Sequence, residues 1–283
     1  MKVSAAELLA GRLTPESIAT ARQAVMNDGF VVLEDVVDAR HVSALRDRML
    51  NDLPTILART DTPYNFTRSN VQQDPPPVHP FLFKDVLFNE FVIDVTEAVL
   101  GKGLQNAFYS GNTALPHTDQ RQPVHADLGH LWPNMAVATP PYALVVNVPV
   151  VDMSVSNGST EIWPGTHLDT SVAWQDGDIK VSSGRLEARR AACPPIQPSV
   201  RAGSVLIRDI RMWHAGMPNR TAQPRPMIAM IHWVSWWHVE GELNLPESVR
   251  PFFEHERLRT TATYVPGDPG YLSGHQAYDM QST

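Results

Sequence analysis

Q-P-V-H-A-D-L-G-H, residues 122–130, marks where the chain changes character. Helical spacing dominates before it. After it come short β-branched runs separated by Pro and Gly turns. The same stretch carries His125 and Asp127, one residue apart. In an extended segment, side chains at i and i+2 project to one face, so an imidazole and a carboxylate can reach one metal ion. Two ligands leave most of a coordination sphere empty. His214, in R-D-I-R-M-W-H-A-G-M-P-N-R (208–220), is the candidate third. Two histidines and one carboxylate favour non-haem Fe(II) with positions left open for oxygen and a co-substrate.

Working outward toward the N-terminus, Thr14-Pro15 reads as an N-cap and first-turn proline for a helix over 15–27, which Asp28-Gly29 stops. F-V-V-L-E-D-V-V (30–37) predicts a strand, and Asp38 caps a second helix to about Leu53. From 54 to 80 the pattern breaks into Pro, Asp and Asn, as in a functional loop. Residues 85–100 predict a third helix ended by Gly101, and 104–109 a strand. Toward the C-terminus, 142–150 and 224–237 read as strands, Asn157-Gly158 and Pro164-Gly165 as turns, and 168–200 as a polar, irregular insertion. Residues 246–258 suggest a short helix in a loop-rich tail. The expected fold is mainly β with N-terminal helices. Its core is a double-stranded β-helix (a jelly roll, cupin-like) buttressed by α-helices. One domain over 1–283 is expected: 1–103 mostly helical, 104–237 the jelly-roll core and 238–283 the C-terminal segment.

The 43% hydrophobic content can fill a sizeable core, and 19% charged is too little for a disordered chain. A net charge of −7 with no basic run argues against nucleic-acid or anionic-membrane partners. Cys193 is the one cysteine, which suits a reducing compartment. No stretch reads as a signal peptide or membrane span, so a soluble, cytoplasmic protein is expected.

A lone H-x-D is a weak signal, and the chain has two. His117-Thr118-Asp119 follows Pro116 in a region without strand character and reads as loop surface. His214 is flanked by Trp213, as a buried structural histidine would be. Arg225 strengthens the metal reading. It lies eleven residues beyond His214, between two prolines at the start of an apolar strand. A guanidinium there calls for a partner, and a co-substrate carboxylate taking two parallel hydrogen bonds supplies one.

At three blocks the sequence resembles the phytanoyl-CoA hydroxylase-like Fe(II)/2-oxoglutarate dioxygenases. They are Q-P-V-H-A-D (122–127), N-G-S-T-E-I-W-P-G-T-H (157–167), and G-S-V-L-I-R-D-x-x-x-W-H-A-G-x-x-N (203–219) followed by Arg225. The resemblance implies that His125, Asp127 and His214 bind iron and form the catalytic centre. Arg225 would hold the distal carboxylate of 2-oxoglutarate, with Gln122 and Thr160 beside it. His167 would belong to a structural turn. Related halogenases lack the carboxylate that Asp127 supplies, so hydroxylation, desaturation or another radical outcome is implied, not halogenation. The implied reaction couples oxidative decarboxylation of 2-oxoglutarate by O2, giving succinate and carbon dioxide, to oxidation of an unactivated C–H bond.

The substrate is read less directly. Tyr64, Phe66, Trp132 and Met135 are candidate pocket residues, Trp132 foremost; Trp213, Trp236 and Trp237 could equally be core. No basic cluster supports a CoA-linked substrate, so a small, largely apolar terpenoid, polyketide or alkaloid scaffold of secondary metabolism is expected. Residues 54–80 and the C-terminal segment are candidate lids, and a homodimer is compatible with the family's C-terminal contacts. Two other classes compete: a metal- or ligand-binding jelly roll without oxidative activity, and a zinc hydrolase using Glu161 or Asp119 as base.

Overall fold

The computed structural model describes residues 1–173, 177–239 and 243–280. Parts of the expected insertion (174–176) and of the C-terminal segment (240–242, 281–283) lie outside the described residues.

Capping decides where the N-terminal helices lie. Ser4 and Glu7 form a reciprocal capping box at the start of α1 (Ala5–Ala10). Thr14 accepts from Ser17 N–H and opens α2 (Pro15–Asp28). Gly29 closes α2 at φ +88°, and a Cβ there would sit 2.7 Å from the His167 ring, so both backbone and space require glycine. After β1 (Phe30–Leu33), Asp38 caps α3 (Ala39–Leu57), which runs past the expected end at Leu53. Pro54 begins the last turn, and the buried face Val42, Leu45, Met49, Leu53 and Ile56 continues through it. The single helix expected over 85–100 is two: α4 (Lys84–Leu87) and α5 (Glu90–Leu100). Asn89 divides them. Its side chain accepts from Phe91 and Val92 N–H and donates to the carbonyls of Val36 and Asp85.

The expected loop at 54–80 holds two strands, β2 (Tyr64–Asn65) and β3 (Thr67–Gln72). β3 buries Thr67, Ser69 and Asn70, so it carries no hydrophobic alternation to read. β4 (Leu104–Ala114) runs well beyond 109, followed by β5 (Ala143–Pro149), β6 (Glu161–Ile162), β7 (Val205–Asp209), β8 (His214–Ala215) and β9 (Arg225–Trp233). The insertion at 168–200 is not wholly irregular: α6 (Ser183–Ala192) buries none of its residues, and so shows no apolar stripe in sequence. The tail adds β10 (Asn244–Pro246), a 3-10 helix (Glu247–Phe253), β11 (Leu258–Thr260) and β12 (Thr263–Val265).

The large sheet runs β1-β7-β5-β9-β4-β3-β2, antiparallel throughout, with β11 added parallel to β4. Alternation along its strands gives the two faces different roles. Leu144, Val146, Val148, Val205, Ile207, Ile228 and Met230 join Val25, Leu45, Met49 and Ile93 in the core beneath the helices. The neighbouring residues Val145, Asn147, Arg208, Met227, Ala229 and Ile231 line a cavity. A small sheet, β6 with β8, and single bridges at 125–214, 153–200 and 162–196 supply the second layer. This is a jelly-roll core with helices on its outer face.

Candidate active site

His125, Asp127 and His214 converge: one ligand atom from each lies within 4.8 Å of the others. Residues 122–130 are not a strand. His125 forms isolated bridges with His214 and Lys180, and Asp127 sits in a bend with its N–H on the Ile210 carbonyl at 3.2 Å. The one-residue spacing still puts both side chains on the same side. His214 Nε2 stands 3.4 Å from Asp127 Oδ1, and the two imidazole centroids are 4.3 Å apart.

Each imidazole is oriented by the carbonyl two residues upstream. His125 Nδ1 donates to Pro123 at 2.8 Å and His214 Nδ1 to Met212 at 3.1 Å. That fixes the tautomer and leaves both Nε2 lone pairs free for a ligand role. Burial, then the neighbouring His214, pushes the His125 pKa down to about 3, so its ring is neutral at pH 7. Burial alone would raise the Asp127 carboxyl, but Arg208, then His214, holds it well below the ordinary range. Arg208 Nη2 donates to Asp127 Oδ2 and Arg208 Nε to Asn147 Oδ1. Phe66 packs behind His125 with ring centroids 4.5 Å apart.

The cavity beside the triad measures about 260 Å³. Arg225, at the start of β9, is 1% exposed and lines it. Its side chain makes no hydrogen bond or ion pair among the described residues, Nε and Nη1 being buried without partners. Burial lowers its pKa to about 10, still cationic at neutral pH. An uncompensated interior guanidinium is costly unless an anion joins it. Two imidazoles with free Nε2, one carboxylate and this waiting cation fit Fe(II) with a dicarboxylate co-substrate.

Gln122 and Thr160 also line the cavity. Gln122 accepts from Gly216 N–H at 2.7 Å and donates to the Asn65 carbonyl at 3.2 Å. The pocket aromatics fall elsewhere. Trp132 is 53% exposed, and neither it, Met135, Tyr64 nor Phe66 is part of the cavity wall. Tyr64 lies under the Arg68 guanidinium, and the Met135 carbonyl accepts from Thr170. Inward-facing positions of β4, β5 and β9 supply the apolar wall: Phe108, Val145, Met227, Ala229 and Ile231. Trp213 is core, packed on Trp163; Trp237 stacks on Trp233 and Tyr142, and Trp236 is exposed. His117 and Asp119 are exposed, and His167 donates to the Met26 carbonyl. Glu161 is tied to Arg121 and Trp163, off the wall, so neither candidate hydrolytic base reaches the cavity. Arg208 and Asn147 went unread in sequence, though an arginine inside V-L-I-R-D carries the signal that marked Arg225.

The sequence model described as Phytanoyl-CoA dioxygenase (PhyH) matches residues 25–227. A curated relative, dioxygenase andF of Emericella variicolor, is 22% identical over 170 residues, covering 58% of this chain and 55% of its own length. The chain thus spans about half the length of that relative. Among solved structures, AviO1 from Streptomyces viridochromogenes Tue57 superposes with a TM-score of 0.59 at 19% identity, over 80% of this chain and 99% of its own. The non-heme alpha-ketoglutarate-dependent epimerase SnoN from nogalamycin biosynthesis gives 0.57 at 16%, over 90% and 98%. These likenesses establish the fold. The family match spans most of the chain, which belongs to the phytanoyl-CoA dioxygenase family.

Proposed function

We propose that this protein, as a single domain, is a non-haem Fe(II)- and 2-oxoglutarate-dependent dioxygenase that hydroxylates or desaturates an unactivated C–H bond of a small molecule, releasing succinate and carbon dioxide. His125, Asp127 and His214 hold the metal. Arg225 takes the distal carboxylate of 2-oxoglutarate, with Gln122 bracing the loop beside it and Thr160 on the same wall. Bound iron supplies the oxygen activation. The protein orients both substrates and keeps bulk water from the centre.

The observation that carries this reading is Arg225: a buried, unpaired cation opening on the same cavity as the triad. A binding module without oxidative activity has no need for it. The apolar stretch Phe108, Val145, Met227, Ala229 and Ile231 favours a largely apolar skeleton. Secondary metabolism is supported by SnoN, which comes from nogalamycin biosynthesis. A homodimer and a cytoplasmic setting complete the proposal; no described helix is long and apolar enough to cross a membrane.

The test is succinate formation from 2-oxoglutarate by purified protein with Fe(II) in air. Wild type forms it, and Asp127→Ala does not. Equal turnover by the two would overturn the assignment.

A further inference from the structure

The cavity holds two arginines, and they do different work. Val145 pairs with Arg208 on β7 and with Ile231 on β9, so these three lie in one row across the sheet. Arg225 lies six residues away from Ile231 along β9, roughly 20 Å of strand at about 3.4 Å per residue. The two guanidiniums therefore enter from opposite ends of the cavity floor. Arg208 is 5% exposed. It spends Nη2 on Asp127 and Nε on Asn147, while Nη1 is buried with no partner among the described residues. Asn147, with its Oδ1 taken by Arg208, has no acceptor for its amide nitrogen among the described residues. Arg208 and Asn147, joined by their own hydrogen bond, thus each keep an unused donor on the wall that Asp127 shares, in the part of the sheet away from Arg225.

Charge points the same way. Among the described residues, the charged side chains of the wall are Asp127, Arg208 and Arg225, which leaves one positive charge in excess. A doubly charged metal and a doubly charged co-substrate cancel, so the excess survives their binding. In a buried cavity a lone positive charge favours an anionic guest.

We propose that Arg208 and Asn147 form a subsite for a carboxylate of the primary substrate. The substrate is then an acid on an apolar skeleton: its carboxylate lies beside the metal ligands, and its hydrocarbon rests on Val145, Ala229 and Ile231. The inference rests on the co-substrate reading of Arg225, because it assigns the far cation to a different molecule. Carboxylates can come from two sources here, the substrate or 2-oxoglutarate itself, and the experiment separates them.

Mn(II)-loaded protein, saturated with 2-oxoglutarate, is titrated calorimetrically with hexanoate and with hexanamide. Hexanoate binds tighter by about tenfold or more, the worth of a charge-assisted hydrogen bond. Arg208→Gln brings the two ligands within about twofold. Asn147→Leu, which leaves the partner of Asp127 in place, cuts the preference several-fold with Mn(II) binding unchanged. The same titration in Arg225→Gln protein, where Arg208 is the remaining cation of the wall, keeps the preference. That arm reads the subsite whether or not 2-oxoglutarate binds, so failure of wild type to take up 2-oxoglutarate would indict the co-substrate reading alone. Equal binding of acid and amide by wild type, or a preference surviving both Arg208→Gln and Asn147→Leu, would overturn the proposal. So would loss of 2-oxoglutarate affinity in Asn147→Leu, which would assign the donors to the co-substrate.

Discussion

His125 and His214, 89 residues apart in sequence, are locked together by their backbones: the amide of each donates to the carbonyl of the other, at 3.0 and 2.8 Å. The reciprocal bridge sets the imidazoles side by side, their centroids 4.3 Å apart. Asp127 and the two side-chain bonds to upstream carbonyls then complete a centre that needs little rearrangement to bind a cation.

Because main-chain atoms form that bridge, His214→Ala keeps it. The variant is expected to fold, with its far-ultraviolet spectrum unchanged. Co(II) affinity, followed by absorption titration, falls by more than about 100-fold, beyond the usual cost of losing an outer-shell partner.

Arg225→Met has opposite effects on stability and on binding. Removing a desolvated, unpaired cation stabilises the ligand-free protein by about 1–4 kcal/mol, as when other buried charges are replaced by apolar groups. The thermal shift that 2-oxoglutarate produces in wild type disappears. Scanning calorimetry with and without 2-oxoglutarate reads both effects, and a lower melting temperature for the ligand-free variant would show that Arg225 has a structural partner.

His232 gives the acid limb of stability a calculable slope. Burial depresses its pKa from 6.5 to about 3, while Thr96 Oγ1 lies 3.0 Å from Nδ1. Between those values the unfolded chain holds a proton that the folded one lacks. Stability therefore falls as pH drops below 6.5, by up to about 1.4 kcal/mol per unit from this group. His232→Gln flattens the urea-denaturation profile between pH 6 and pH 4 (roughly the upper part of that window). A slope unchanged by the substitution would place the titration elsewhere.

The substrate wall separates from the surface aromatics by mutation. Trp132→Ala, at an exposed position, changes stability by less than about 0.5 kcal/mol and leaves turnover near wild type. Ala229→Phe puts a ring in the middle of the cavity floor and uncouples 2-oxoglutarate consumption from substrate oxidation. Comparing succinate formed with substrate lost measures the uncoupling.

What could be read from the chain divides along physical lines. The convergence of His125, Asp127, His214 and Arg225 on one cavity was legible because the chemistry they suggest constrains residue type and spacing within short segments. β5 and β9 were legible because strands buried on both faces are rich in β-branched and apolar residues. β3 was not, since three of its four buried positions are the polar Thr67, Ser69 and Asn70, and α6 was not, since none of its residues is fully buried. The cavity wall was the least legible part. Trp132 suggested a pocket by being aromatic and near the motif, whereas membership of the wall follows from strand register: Val145 opposite Ile231, Asn147 opposite Ala229. Register is a property of paired strands and is not written in either one alone.

The central claim is that three side chains hold one cation while Arg225 grips a co-substrate in the same cavity. Crystals soaked with Mn(II) and 2-oxoglutarate under anaerobic conditions test it most directly. The account predicts one anomalous peak at about 2.2 Å from His125 Nε2, His214 Nε2 and an Asp127 oxygen, with the distal carboxylate of 2-oxoglutarate on Arg225. A peak away from these three residues, or a co-substrate bound with Arg225 still unpaired, would contradict it.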